Sequence, residues 1–164
     1  MDTARRIFAA VVAAALAGCG AGKPPADPGR DTTVTAATLG EQAVLTAAEY
    51  LAQPPYATAD ASRGRQGAVL CQACHSFKQG EGDRIGPNLY GIVGRRAGTR
   101  AGFAYSRPLQ QADFVWTPAA LDAWLADPAR FLPGNRMAIP GLSDASDRDN
   151  LIAYLLGAEI PGPD

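Results

Sequence analysis

Five consecutive residues carry the strongest chemical signal in the chain: Cys71-Gln72-Ala73-Cys74-His75. Cysteines three positions apart lie about one helical turn from each other, so a helix presents both thiols on one side. The histidine that follows adds an imidazole beside them. Thiols at this spacing can add to the two vinyl groups of a porphyrin while the imidazole points at its iron. Cys-x-x-Cys-His is the attachment signature of c-type haem. Other uses of these residues fit less well. A structural zinc site needs four ligands, and Cys71, Cys74 and His75 alone are at hand. A redox dithiol wants a strand-helix-strand setting, of which there is no sign. Two buried structural thiols are the plainest alternative. The expected group is therefore one covalent haem c, held by Cys71 and Cys74, with His75 as the first axial ligand.

The counts restrict the second ligand. The chain has 164 residues with three cysteines, one histidine and two methionines, Met1 among them. A bis-histidine haem, a three-histidine metal site and a disulfide-stapled scaffold are all excluded within it. A thioether, an amine or an open, water-occupied position remains. Met137 is the leading candidate. It sits in Phe131-Leu132-Pro133-Gly134-Asn135-Arg136-Met137-Ala138-Ile139-Pro140-Gly141, a loop bracketed by prolines and glycines that can lay one side chain on a flat ligand. A lone methionine otherwise reads as core packing. The amines are poorer: Lys78 falls three residues past His75, and Lys23 lies far upstream.

The elements that must position these groups read as helices. Residues 62–74 have good helix formers apart from Gly64 and Gly67. A second helix starts at Thr117-Pro118, a cap residue followed by proline at the first helical position, and stops near Asp127-Pro128. It carries Leu121, Trp124 and Leu125 on one face. A third runs from Ser143 or Asp144 to Leu156, with an apolar stripe of Leu151, Ile152 and Leu155 and Gly157 as its stop. Strand patterns are nearly absent, so the fold class is all-α. The Gly- and Arg-rich stretch 76–102 is too long for a structureless loop, and three short helices bury little apolar area. A large internal ligand accounts for both.

Upstream of the domain, residues 1–18 read as an export signal. Arg5 and Arg6 precede an eleven-residue apolar stretch, too short to span a bilayer. Leu16-Ala17-Gly18-Cys19 resembles the lipobox of bacterial lipoproteins, which implies lipidation of Cys19 and a membrane anchor. Residues 20–37 read as a flexible linker, and 38–53 as a helix ended by Pro54-Pro55. The expected order is thus signal 1–18, lipid-anchored linker 19–58 and haem domain 59–161. Export agrees with the haem reading, because covalent attachment takes place outside the cytoplasm.

Several further motifs, in order from Gly64 to Tyr154, resemble the class I cytochromes c of mitochondria and their bacterial relatives. The resemblance implies the cytochrome c fold, a few short helices and long loops around one haem. Ile85-Gly86-Pro87-Asn88-Leu89 matches the segment whose proline carbonyl, here Pro87, accepts a hydrogen bond from the proximal histidine. Gly94-Arg95-Arg96 and Gly102-Phe103-Ala104-Tyr105 match the loop that holds a haem propionate, with Arg95 and Tyr105 as its contacts. Trp116 falls at the family's propionate-bonding tryptophan, and Asn135 is a further donor. Pro133–Met137 matches the methionine loop, and Leu151–Tyr154 the C-terminal helix that crosses the N-terminal one. Three positions depart from the pattern. Gly67 replaces an aromatic on the first helix, so the crossing is closer or uses Val69 and Leu70. Trp124 replaces a tyrosine bonded to the methionine sulfur, and Ile139 replaces a phenylalanine.

These readings imply a one-electron carrier rather than an enzyme. An iron with two protein ligands has no open site for substrate, and methionine ligation favours the ferrous state. Electrons are expected to leave near Gln72, Ala73 and Ile139. A net charge of -1 gives no general pull on nucleic acid or anionic membranes. The expected partners are redox proteins in or at the membrane, with no small-molecule substrate. A fixed haem subunit of a membrane complex and a peroxidase or gas-binding haem are the rival readings.

Overall fold

The structure, a computed structural model, describes residues 38–40 and 42–158. The expected signal 1–18, Cys19, the linker 20–37 and the end of the domain at 159–161 lie outside the described residues. Six α-helices follow in order: α1 Ala47–Leu51, α2 Ala61–Gln72, α3 Arg107–Gln111, α4 Pro118–Ala126, α5 Pro128–Phe131 and α6 Ala145–Ala158. Among the described residues no strand forms, and one antiparallel bridge pairs Arg96 with Val115.

Each main helix starts where a side chain can satisfy its free N–H groups. Asp60 accepts from the N–H groups of Ser62 and Arg63 at 2.9 and 3.0 Å and opens α2. Thr117 accepts from Ala120 N–H at 3.1 Å, and Pro118 opens α4 with a preset φ. Asp127 does the same for the short α5 through Arg130 N–H at 3.0 Å. Helix α6 continues through Gly157 to Ala158, the last described residue, so Gly157 does not stop it.

Helices α2 and α6 cross closely because Gly64 has no side chain. A Cβ there would meet the Asn150 carbonyl oxygen at 1.9 Å. The Asn150 side chain also accepts from Asp60 N–H at 2.7 Å, which pins the start of α2 to the same place. Val69 and Leu70 take no part in the crossing, since they are 61% and 80% exposed. Gly67 faces open space. The apolar side of α6, Leu151, Ile152, Leu155 and Leu156, is buried in the main core. That core continues into an aromatic group of Phe114, Trp116, Trp124 and Phe131, packed largely edge to face.

The expected helix at 38–53 is reduced to five residues, closed at its start by a reciprocal capping pair of Thr46 and Glu49. The residues before it do not stand free. Gln42 bonds Val115 through both ends of its amide, at 3.2 and 3.1 Å. Leu39, Ala47, Tyr50 and Leu51 pack against the core.

Candidate functional site

The Cys71–His75 segment lies at the C-terminal end of α2. The last turn continues past Gln72, with Cys74 N–H and His75 N–H both donating to Cys71 carbonyl at 3.0 and 2.8 Å. This turn gives both thiols a common origin and leaves them free of any disulfide. Cys71 packs against the edge of the core, and burial, then the neighbouring Cys74, push its thiol above the ordinary pKa.

His75 is held by the segment 84–87. Gly86 N–H donates to Cys74 carbonyl at 2.7 Å, and Arg84 reaches Gln72 carbonyl at 2.6 Å. The ring Nδ1 lies 2.7 Å from Pro87 carbonyl. A carbonyl only accepts, so Nδ1 carries the proton and Nε2 keeps its lone pair. Burial pushes the imidazole below its ordinary pKa, against the smaller opposing effect of the Pro87 bond, and this favours the neutral form that can ligate a metal. A Cβ on Gly86 would fall 2.3 Å from His75 Cε1, so the ring lies flat against bare backbone.

Asn88 organises the loop behind His75. It is 1% exposed, and its amide donates to Lys78 and Glu81 carbonyls at 2.9 Å each while its oxygen accepts from Tyr90 N–H at 2.7 Å. The long loop is thus organised by a buried side chain as well as by any ligand it encloses.

Arg95 turns into that loop and donates to the carbonyls of Asn88, Tyr90 and Gly91. It also bonds the half-buried Tyr105 hydroxyl, so the two expected propionate contacts are neighbours. Ser106, beside Tyr105, has a buried hydroxyl with no hydrogen-bond partner. A buried, unpaired hydroxyl is costly. Its place in the chain fits an enclosed group with anionic oxygens. Ser106 carries no signal in the sequence, because nothing in a lone serine announces that it will be left unpaired.

Trp116 and Trp124 are 7% and 6% exposed and meet at 5.4 Å and 74°. Trp124 Nε1–H points to Met137 sulfur at 3.1 Å. Met137 is partly buried against the same core as Cys71. Asn135 has a different task from the one expected. Its amide hydrogens go to Pro128 and Leu132 carbonyls at 2.7 and 2.9 Å, and its oxygen accepts Met137 N–H at 2.8 Å. With both hydrogens occupied it braces the methionine loop and has none left for a propionate. Gln72, Ala73 and Ile139 are on the surface.

Two thiols on one turn, an imidazole with a free Nε2, an apolar wall and an unpaired hydroxyl fit a covalently held haem. A cluster of three or more His, Cys, Asp or Glu side chains suited to a bare metal ion is absent among the described residues.

No protein-family model matches the chain. Among curated proteins it is 49% identical over 77 residues to cytochrome c of Trypanosoma brucei brucei, spanning 47% of this chain and 83% of that protein. It is 40% identical over 100 residues to cytochrome c2 of Agrobacterium tumefaciens, spanning 59% and 90% of the two chains. Among solved structures, cytochrome cH from Methylobacterium extorquens superposes with a TM-score of 0.55 at 42% identity, covering 58% of this chain and 96% of that one.

Proposed function

We propose a specific task within the family to which this chain belongs, the class I c-type cytochromes: a membrane-tethered carrier of single electrons on the periplasmic side of a bacterial membrane. The chain has the cytochrome c fold and one covalent haem c, and it is an electron carrier rather than an enzyme. The residue roles, the tether and the partners are our reading.

The observation that carries the haem-ligation part of this reading is the Pro87 carbonyl 2.7 Å from His75 Nδ1. That bond commits one ring nitrogen and leaves the other as a ligand, immediately after the second haem cysteine. When bound, the haem supplies a ferric–ferrous couple. Cys71 and Cys74 would hold it by thioethers, and His75 Nε2 and Met137 sulfur would be the protein ligands to its iron. Two protein ligands would leave the iron without an open site for substrate. The Pro87 bond raises the basicity of the histidine ligand. A methionine ligand beside the histidine would favour the reduced state, as would burial, which disfavours the extra charge of the oxidised one. Arg95, Tyr105, Trp116 and Ser106 are the groups available to a propionate.

Partners would be redox proteins in or at the membrane, approached at the surface near Gln72, Ala73 and Ile139. The anchor is Cys19, through the lipobox resemblance. No described helix is long and apolar enough to cross a membrane.

The test is an absorption spectrum of the protein purified from membranes. Haem should survive acid-acetone extraction, and Cys71→Ala/Cys74→Ala should fail to retain it. Met137→Ala should keep the haem, lose the methionine-to-ferric-iron band and admit added ligands. Haem lost from the wild-type protein on extraction would overturn the attachment reading. A wild-type spectrum unchanged by Met137→Ala would remove Met137 from the iron.

A further inference from the structure

We propose that Gln42, upstream of the haem-binding region, is a positioning residue that holds Met137 in place through Val115, Trp116 and Trp124. The inference rests on the reading of Met137 as an iron ligand.

The contact is long-range, spanning 73 positions in the chain. Gln42 Oε1 accepts Val115 N–H at 3.1 Å, and Gln42 Nε2 donates to Val115 carbonyl at 3.2 Å. A primary amide has one acceptor and paired donors, so it can pair with a peptide edge as a neighbouring strand would. The edge is open for a definite reason. Arg96 and Val115 form an antiparallel bridge in which Trp116 N–H donates to Arg95 carbonyl at 2.9 Å and Ala97 N–H to Phe114 carbonyl at 3.0 Å. Peptide groups alternate in direction along an extended segment, so the N–H and carbonyl of Val115 face away from this partner. Gln42 takes the outward side.

The two halves of that pairing are not equivalent. Val115 carbonyl also accepts Thr117 N–H at 2.9 Å. Val115 N–H has Gln42 Oε1 as its partner among the described hydrogen bonds. Removing the amide oxygen therefore strands a partly buried donor, whereas removing the amide hydrogen leaves the carbonyl satisfied.

Two connections run from Val115 to the methionine. Trp116 follows it and packs against Trp124 at 5.4 Å. Thr117, whose N–H Val115 receives, caps α4, the helix that carries Trp124. Trp124 in turn donates to Met137 sulfur at 3.1 Å. Neighbouring contacts hold the Gln42 segment on the domain. Val44 Cγ1 lies 3.0 Å from the position of a Cβ on Gly94, and Tyr50 hydroxyl bonds the Ala43 carbonyl at 3.0 Å.

The experiment compares Gln42→Leu and Gln42→Glu in the full-length haem-loaded protein. Imidazole is titrated against the ferric form while the methionine-to-iron band is followed. Glu keeps the acceptor for Val115 N–H, and Leu keeps the size and loses both bonds. Gln42→Leu should bind imidazole about two- to tenfold more tightly than wild type, the equivalent of one net backbone hydrogen bond. Gln42→Glu keeps the acceptor for Val115 N–H but turns its second carboxylate oxygen toward the Val115 carbonyl, so its affinity should lie between those of wild type and Gln42→Leu. Gln42→Ala is expected to follow Leu and serves where Leu is not accommodated. Equal affinity in wild type and Gln42→Leu would overturn the proposal, as would equal shifts in Leu and Glu variants. Absence of the methionine band from the wild-type protein would overturn the ligand reading and this inference with it, and the spectrum separates that failure from the others.

Discussion

The indole N–H of Trp124 points at the sulfur of Met137 from 3.1 Å, where the sequence resemblance leads one to expect a tyrosine hydroxyl. An indole N–H donates and cannot accept, so the sense of this bond is fixed. Donation into a sulfur lone pair draws density from the atom that would face the iron. The effect is felt most in the oxidised state, which needs that density more. Trp124→Phe keeps an aromatic ring beside Trp116 and removes the donor. The variant should keep its haem and show a midpoint potential lower by some tens of millivolts, the scale of one modest hydrogen bond in a one-electron couple. Spectroelectrochemistry checks this, and a potential that rises or stays constant would contradict it.

The two glycines of α2 should respond to substitution in opposite directions. Gly64→Ala would place a Cβ 1.9 Å from Asn150 carbonyl, so α2 and α6 must separate. Such overpacking costs about 1–3 kcal/mol. Gly67 has open space at the corresponding position and is exposed. Gly67→Ala should stabilise the protein by up to about 1 kcal/mol through helix propensity. Chemical denaturation of the haem-loaded variants measures both, and the same sign for both would contradict the crossing geometry.

These glycines also mark a boundary in what the sequence discloses. The Cys71–His75 segment is readable because covalent chemistry and ligation dictate residue type and spacing together. Thr117-Pro118 and the Leu151, Ile152, Leu155 stripe are readable because caps and amphipathic faces are local patterns. Gly64 and Gly67 look alike in sequence, and only the position of α6 tells them apart. Residues 38–53 show helical spacing, but Gln42 finds Val115 across 73 positions and draws its segment onto the domain outside a helix. Asn135 reads as a spare donor until the loop closes around it and uses both hydrogens. What escaped the reading are the groups whose role is set by a partner distant in the chain.

Asp83 gives the loop behind His75 an acid limit. Burial alone would raise its pKa, but Asn88 N–H at 2.8 Å and the ion-paired Arg100 outweigh that and hold it below the ordinary 3.8. A carboxylate whose folded-state pKa is depressed adds stability above its unfolded pKa and loses that contribution as pH falls through the folded value. Asp83→Asn should therefore be less stable than wild type at neutral pH, with the difference shrinking below about pH 4 as the wild-type carboxylate protonates. Thermal melts from acid to neutral pH check this. A gap that widens towards acid would reverse the sign.

The distribution of charge along the sequence predicts how the proposed partners are met. Over residues 76–112 six cations face two carboxylates, a net of +4, and over 113–164 three cations face eight carboxylates, a net of -5. Part of the positive group is not available to a partner. Arg95 turns inward onto three backbone carbonyls, and Arg100 is paired with Asp83. Close to the haem-attachment turn, Leu70 and Ile85 are 80% and 82% exposed, so apolar surface stands where a steering cation would otherwise act. Raising salt from about 10 mM to 0.1 M shortens screening from roughly 30 to 10 Å and suppresses long-range attraction. The rate of electron exchange with an acidic redox protein should fall by less than about tenfold over that range, at the low end of electrostatic steering. Leu70→Lys should steepen the salt dependence and raise the rate at low salt, without altering the potential appreciably. Stopped-flow measurements at several salt concentrations test both parts. A steep loss of rate in the wild-type protein would mean that the remaining arginines dominate docking, and an unaltered slope in Leu70→Lys would place the docking surface away from the attachment turn.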